Sequence, residues 1–238
     1  ERVLGYAFLH WRDEDPPVFG ICLVHEAQSS GLGRILVDHL FASAAASGVG
    51  RVSLTVHPDN GRALRLYQRA GFRLAGEFIN AHQGVKQYRM EADLLAPRPT
   101  ILEELAIVPI GGLGAGVAAA EVQAAIERKT GRLPLLLDRP AHHRAPTIFV
   151  ADLALPGPRW EQGDDIGDGA GWVVSLDDMH LLIGGVGVPA LTRACRAYAE
   201  TLAASRPREW DTDEIAAVSL QELVAPAGVP RAEAAWGR

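Results

Sequence analysis

An apolar run, Val18 to Val24, breaks directly onto Gln28-Ser29-Ser30-Gly31-Leu32-Gly33, and a helical pattern begins at Arg34. No other stretch of the chain restricts its fold so tightly. The run is apolar throughout and reads as a strand buried on both faces at the centre of a sheet. Ile35, Leu36, His39, Leu40 and Phe41 share one face of the helix that follows, which Gly48 and Gly50 end. A strand, a glycine turn and a helix in immediate succession specify an α/β architecture. The free amides of a helix N-terminus attract phosphate oxygens, and glycines let a ligand approach the backbone closely. Residues Gln28 to Arg34 are therefore expected to cradle a pyrophosphate, with Arg34 adding a charge-assisted contact. Taken alone, such a glycine turn is more often merely tight.

A second element adds weight. Arg51 to Val56 reads as a strand, Pro58-Asp59-Asn60-Gly61 as a turn, and Arg62 to Ala70 as a short helix carrying Leu64, Leu66 and Tyr67, with Gly71 as its cap. Val3 to Trp11, Phe72 to Ile79 and Val85 to Leu95 read as further strands. The segment Leu23 to Phe72 resembles the GNAT superfamily of N-acetyltransferases. The motifs that carry the resemblance are Gln28-Ser29-Ser30-Gly31-Leu32-Gly33 and Asn60-Gly61-Arg62-Ala63-Leu64-Arg65-Leu66-Tyr67-Gln68-Arg69-Ala70-Gly71-Phe72. It covers about the first 95 residues and none of the rest.

The resemblance implies a mixed sheet with a helix on each face, a partial acetyltransferase fold. It implies that the amides of Gln28, Ser29, Ser30, Gly31, Leu32, Gly33 and Arg34 hold the pyrophosphate of acetyl-coenzyme A. The strand ending at Leu23 and Val24 would splay from its neighbour and pair with the pantetheine arm, and an amide there would polarise the acetyl carbonyl. Asn60 would hydrogen-bond the cofactor. Tyr67 would be the general acid that protonates the leaving thiolate, a phenol and a thiol being close enough in pKa. An amine would attack the thioester directly.

Read without the family, Tyr67 is a core aromatic and Asn60 a turn residue. His25, Glu26, His57 and, more remotely, His10 are the candidates for a general base, and each also reads as a surface residue at a strand end. The family's usual opening of strand, two helices and strand has no counterpart ahead of Val3. Either the chain is a fragment, or the second half or a partner chain supplies that surface. No Met precedes Glu1.

Ala96-Pro97-Arg98-Pro99-Thr100 is the expected linker, dividing residues 1–95 from a second small α/β domain at 101–238. There Leu105–Ile110, Leu133–Asp138, Ile148–Leu153 and Trp172–Leu176 read as strands. Val117–Thr130, Ala190–Ser205 and Asp213–Val224 read as helices. Strand, Gly112-x-Gly114-x-Gly116, helix, strand and Asp138 outline a dinucleotide fold, but the spacing is poor and Pro109 sits in the strand. A structural βαβ unit is the better reading. His142, His143, Asp152, Asp164, Asp165, Asp168, Asp177, Asp178 and His180 lack any metal-ligand spacing, and no metal is expected. The stretch Ile148 to Asp178 is faintly similar to archaeal-type metzincin peptidases. Their zinc motif is missing, so this implies at most an inactive relative.

Charge narrows the partners. The net charge is −6, and it resides in residues 97–238, which hold 13 basic and 19 acidic side chains against 10 and 10 before them. Non-specific nucleic-acid binding is not expected. No apolar run reaches the roughly 18 residues that cross a bilayer, and the first residues do not resemble a signal peptide. Cys22 and Cys195 are too few for a disulfide framework; both are expected to be buried, in a reducing cytoplasm. The expected activity is acetyl transfer from acetyl-coenzyme A to a primary amine of a small molecule or protein N-terminus. The alternative is a non-catalytic acyl-coenzyme A binding or regulatory module. The expected partners are the donor and the amine, with no nucleic acid and no membrane; a homodimer is left open.

Overall fold

The computed structural model describes residues 2–11, 16–140, 145–152, 171–176, 179–204, 223–224 and 229. The chain forms two compact units, Glu1–Pro99 and Thr100–Arg238.

The first unit holds β1 (Gly5–His10), β2 (Val18–Leu23), α1 (Leu32–Ala46), β3 (Arg51–Val56), α2 (Gly61–Ala70), β4 (Arg73–Ile79) and β5 (Lys86–Asp93), with a 3-10 turn at His25–Ala27. The sheet order is β1-β2-β3-β5-β4. Alternation explains its packing. Val52, Leu54 and Val56 of β3 pair with Ala92, Met90 and Tyr88 of β5, and all six are buried. On the other face of β3, Arg51 and Thr55 are exposed, while Ser53 is buried with its hydroxyl donating to the Pro16 carbonyl at 3.3 Å. Phe19 of β2 meets Phe41 of α1, Tyr67 of α2 and Phe72 at ring separations of 6.1, 6.2 and 5.6 Å. Both helices therefore lie on one face, not one on each: a single aromatic cluster anchors them together.

Among the described residues of this unit no helix covers the opposite face, which corrects two further expectations. In β2 only Phe19 is buried, and Cys22 is exposed. A strand can be apolar on both faces without being covered on both. Here Gly20 is apolar because the Phe8 ring of β1 lies where its side chain would be. Tyr6 and Phe8 stack at 6.2 Å and remain 57% and 44% exposed.

The second unit runs β6 (Thr100–Ile110), α3 (Ala115–Thr130), β7 (Arg132–Leu136), β8 (Thr147–Asp152), β9 (Trp172–Ser175), β10 (His180–Gly185) and α4 (Val188–Ala204). The order is β7-β6-β8-β10-β9, parallel except for β9. β6 starts at Thr100, inside the expected linker, because Thr100 already pairs with Arg132. β10 escaped the sequence reading: its apolar core is short and runs straight into Gly184 and Gly185. Pro109 is tolerated because β7 ends at Leu136, opposite Ile107, so the proline's missing N–H falls where no strand remains to accept it. The helix expected at Asp213–Val224 lies outside the described residues except at 223–224. Among the described residues no helix is long and apolar enough to cross a membrane.

Candidate functional site

β2 and β3 are parallel neighbours that meet at a single register point, Val18 opposite Ser53. The Ser53 amide donates to the Pro17 carbonyl at 3.0 Å. Beyond that point the strands part. On the other side β2 follows β1 for six residues, and the Val24 amide donates to Leu4 at 2.9 Å. Backbone groups alternate along a strand, so those of Ile21 and Leu23 turn toward the gap. The sequence reading named Leu23 and Val24 together; the Val24 amide is committed to β1, leaving Leu23 to face the opening.

The turn after β2 alternates in backbone handedness. Ser29 (φ 61°) and Gly31 (φ 88°) are both left-handed, and Gly31 is the α1 N-cap with no side-chain cap on the helix. Alternating dihedrals of this kind turn successive amides inward. A side chain at Gly31 would meet nothing within 4 Å, so the space before the turn is open. Gly33 differs: a Cβ there would lie 3.2 Å from Leu66 of α2 and 3.6 Å from Leu23. It is the place where α1, α2 and β2 close on one another. Ser30 spends its hydroxyl hydrogen on the Ala27 carbonyl at 2.7 Å, and the Leu32 amide reaches its oxygen at 3.4 Å.

Gln28 spans the mouth of the gap. Its Nε2 donates to the Leu23 carbonyl at 3.3 Å, and its Oε1 accepts a short hydrogen bond from Arg62 in the first turn of α2. The sequence reading leaves Arg62 as an ordinary helix residue; its place two residues after an N-cap was the only signal. Arg34, expected at the pyrophosphate, instead holds both Asp38 oxygens through Nε at 3.1 Å. Asp38 also takes Arg98. Burial works against the Asp38 carboxylate, but Arg98 and Arg34 outweigh it and hold its pKa below the usual range.

Asn60 is the N-cap of α2, its Oδ1 accepting the Ala63 amide at 3.1 Å. That bond uses one of the oxygen's two lone pairs, so the other and the side-chain NH2 are left for a ligand. Tyr67 is 8% exposed, its ring set edge-on against Phe19 and Phe72. Among the described residues its hydroxyl has no hydrogen-bond partner, and it is not among the buried unpaired atoms, so it opens to solvent. Burial pushes its pKa up to about 12. The base candidates remain scattered. A backbone hydrogen bond and Arg2 hold Glu26 below the carboxylate range, His57 Nδ1 is 3.5 Å from Asp59, and His25 and His10 are exposed.

Residues 1–72 match the family model of the acetyltransferase (GNAT) family. This segment is similar to GNAT acetyltransferase domains. Over 77 residues it is 34% identical to the mycothiol acetyltransferase of Corynebacterium aurimucosum, covering 31% of this chain and 25% of that one. Over 75 residues it is 31% identical to the ribosomal protein bS18 alanine N-acetyltransferase of Salmonella typhimurium, covering 32% and 51%. The chain thus spans between a quarter and about half of these relatives. Among solved structures, a GNAT acetyltransferase from Streptococcus pneumoniae is 24% identical with a TM-score of 0.35, over 38% of this chain and 59% of that one. The GNAT match ends ahead of β4 and leaves the second unit untouched. In that unit Gly114 gives room to Val188, 2.6 Å from where its Cβ would be, so helix packing accounts for that glycine. Asp152 accepts the Gly187 amide at 2.9 Å. No group of metal-ligating side chains occurs among the described residues. His142, His143, Asp164, Asp165, Asp168, Asp177 and Asp178 lie outside them.

Proposed function

We propose that the first unit binds acetyl-coenzyme A and transfers its acetyl group to an amine. The observation that carries the reading is the single-point pairing of β2 and β3 beside an uncapped, glycine-led α1. The open space at Gly31 fits a pyrophosphate, and the gap fits an extended arm that hydrogen-bonds along β2. When bound, acetyl-coenzyme A supplies an activated thioester.

The chain's own residues do the following. The amides of Ser29, Ser30, Gly31 and Gly33 hold phosphate charge, those of Gln28 and Arg34 being spent on the His25 and Gly31 carbonyls and that of Leu32 on Ser30. The Leu23 amide donates into the gap, where negative charge develops on a carbonyl oxygen. Tyr67 holds a proton at its hydroxyl throughout the physiological range, because its pKa is about 12. That is about 3.5 pH units above an ordinary thiol. Tyr67 therefore acts chiefly as a hydrogen-bond donor that stabilises a leaving thiolate, and as its proton source once the amine's proton is lost. Water is the better carrier of that amine proton, since Glu26 is held by Arg2, His57 faces Asp59 and His25 is exposed. The exposed, unpaired Cys22 thiol supports a reducing, cytoplasmic setting.

Calorimetric titration with acetyl-coenzyme A tests the reading, beside a Gly31→Glu variant and an assay for thiol released in the presence of amines. Binding abolished by Gly31→Glu, with amine-dependent thiol release, is the expected result. Binding without release would instead support the non-catalytic module. Absence of binding by the parent would overturn both readings. Sedimentation of the same sample with and without ligand reads whether a homodimer forms.

A further inference from the structure

We infer that Arg62, held by Gln28, is the cation that neutralises the cofactor's pyrophosphate, in place of Arg34. The inference rests on the acyl-coenzyme A reading above and adds a residue to it. A dianionic pyrophosphate at the 28–34 turn gains from fixed positive charge beside the backbone amides. Two arginines are near enough in the chain or the fold to supply it. Arg34 is adjacent in sequence, but its Nε is held by both oxygens of Asp38, a carboxylate that it shares with Arg98, so its charge is offset in part and its head is turned along α1.

Arg62 is distant in sequence and is brought to the turn by α2. Its hydrogen-bond partner is the neutral amide oxygen of Gln28, a residue of the turn itself. No carboxylate pairs with Arg62 among the described residues, so its charge is uncompensated. Gln28 also grips the Leu23 carbonyl with Nε2. One side chain thus ties together the end of β2, the turn and the start of α2. The guanidinium is aimed by a partner that does not quench it, at the mouth of the gap between β2 and β3. Arg fits this task better than Lys, because its planar fork can keep Gln28 and still offer donors to phosphate oxygens.

The test is calorimetry on the full chain with acetyl-coenzyme A and with S-acetylpantetheine, which lacks the phosphates. Arg62→Gln should weaken acetyl-coenzyme A about tenfold and flatten the salt dependence of its binding, while leaving S-acetylpantetheine within twofold. Arg62→Lys should recover part of the loss. Arg34→Gln should cost less than Arg62→Gln. Arg51→Gln, removing the same charge at the far end of β3, should leave both ligands unchanged. Equal weakening of both ligands by Arg62→Gln would overturn the inference, since the residue would then act only through the shape of the turn. So would a larger loss from Arg34→Gln, or no loss from Arg62→Gln. If the parent binds S-acetylpantetheine but gains nothing from the phosphates, the inference fails while the reading of the gap survives. If it binds neither ligand, the reading itself fails and takes the inference with it.

Discussion

Single residues here carry two duties, and their variants separate them. Tyr67 is part of the aromatic cluster through its ring and part of the proposed chemistry through its hydroxyl. Tyr67→Phe keeps every ring contact, so cofactor affinity should stay within twofold while turnover falls by about 100-fold, the usual scale for a lost acid. Steady-state kinetics beside calorimetry reads both; unchanged turnover would remove the phenol from the mechanism. Asn60 divides differently. Its Oδ1 caps α2, so Asn60→Ala should cost about 1 kcal/mol of stability in denaturant unfolding. Asn60→Asp keeps the cap and should recover that loss, while placing a negative charge beside the proposed pyrophosphate and weakening binding. If Asn60→Asp binds as well as the parent, Asn60 is a cap and nothing more.

At the level of elements, the gap between β2 and β3 is set by what packs beneath it. Gly33 lets α1 approach Leu23 and Leu66 together. Gly33→Val would force those three apart, costing about 1–3 kcal/mol and widening the turn. Thermal unfolding together with acetyl-coenzyme A titration checks this: both stability and affinity should fall, where Gly31→Ala should leave packing intact and strain only its left-handed dihedral. The same elements show what a sequence can disclose. The strand, the Gln28–Gly33 turn, the two helices and the positions of Asn60 and Tyr67 were legible, because glycines and apolar spacing are local signals. The pairing of Arg34 with Asp38, the reach of Arg62 to Gln28 and the single-faced sheet were missed. The first is an i, i+4 neighbour on α1, a local signal that went unread; the other two depend on which distant side chains tertiary packing brings together, and Phe19 gives no local sign that it gathers both helices to one side. Cys22 misled for a related reason. Its neighbours are apolar, yet among the described residues of this unit no helix covers the face it shares with Tyr6 and Phe8.

Across the whole molecule, both units bury weak acids in neutral form, and this ties stability to alkaline pH. Tyr67 in the first unit has its pKa raised to about 12 by burial. In the second, burial first and the Glu121 charge next raise Cys195 to about 12, and burial raises Tyr198, whose hydroxyl donates to the Leu223 carbonyl at 2.8 Å. A group whose folded pKa exceeds its unfolded value contributes stability that is fully present below the unfolded pKa and is lost as pH rises through the folded one. For Cys195 the loss runs from about pH 9 to 12, and for Tyr67 from about pH 10 to 12. A shift of two units at Tyr67 corresponds to about 3 kcal/mol, a large part of the 5–15 kcal/mol typical of a folded domain. Stability should therefore be level near neutrality, decline first through the second unit, and decline again as Tyr67 is forced to ionise. Denaturant melts at a series of alkaline pH values, with phenolate absorbance followed in parallel, measure the sequence of losses. Tyr67→Phe should remove the part of the slope lying between pH 10 and 12 that belongs to the first unit, while the earlier decline from Cys195 persists. A variant with the parent's full slope would mean that Tyr67 ionises as freely in the folded chain as in the unfolded one. Its pKa would then lie nearer that of a thiol, and direct proton transfer to the leaving thiolate would be favoured over hydrogen-bond donation alone.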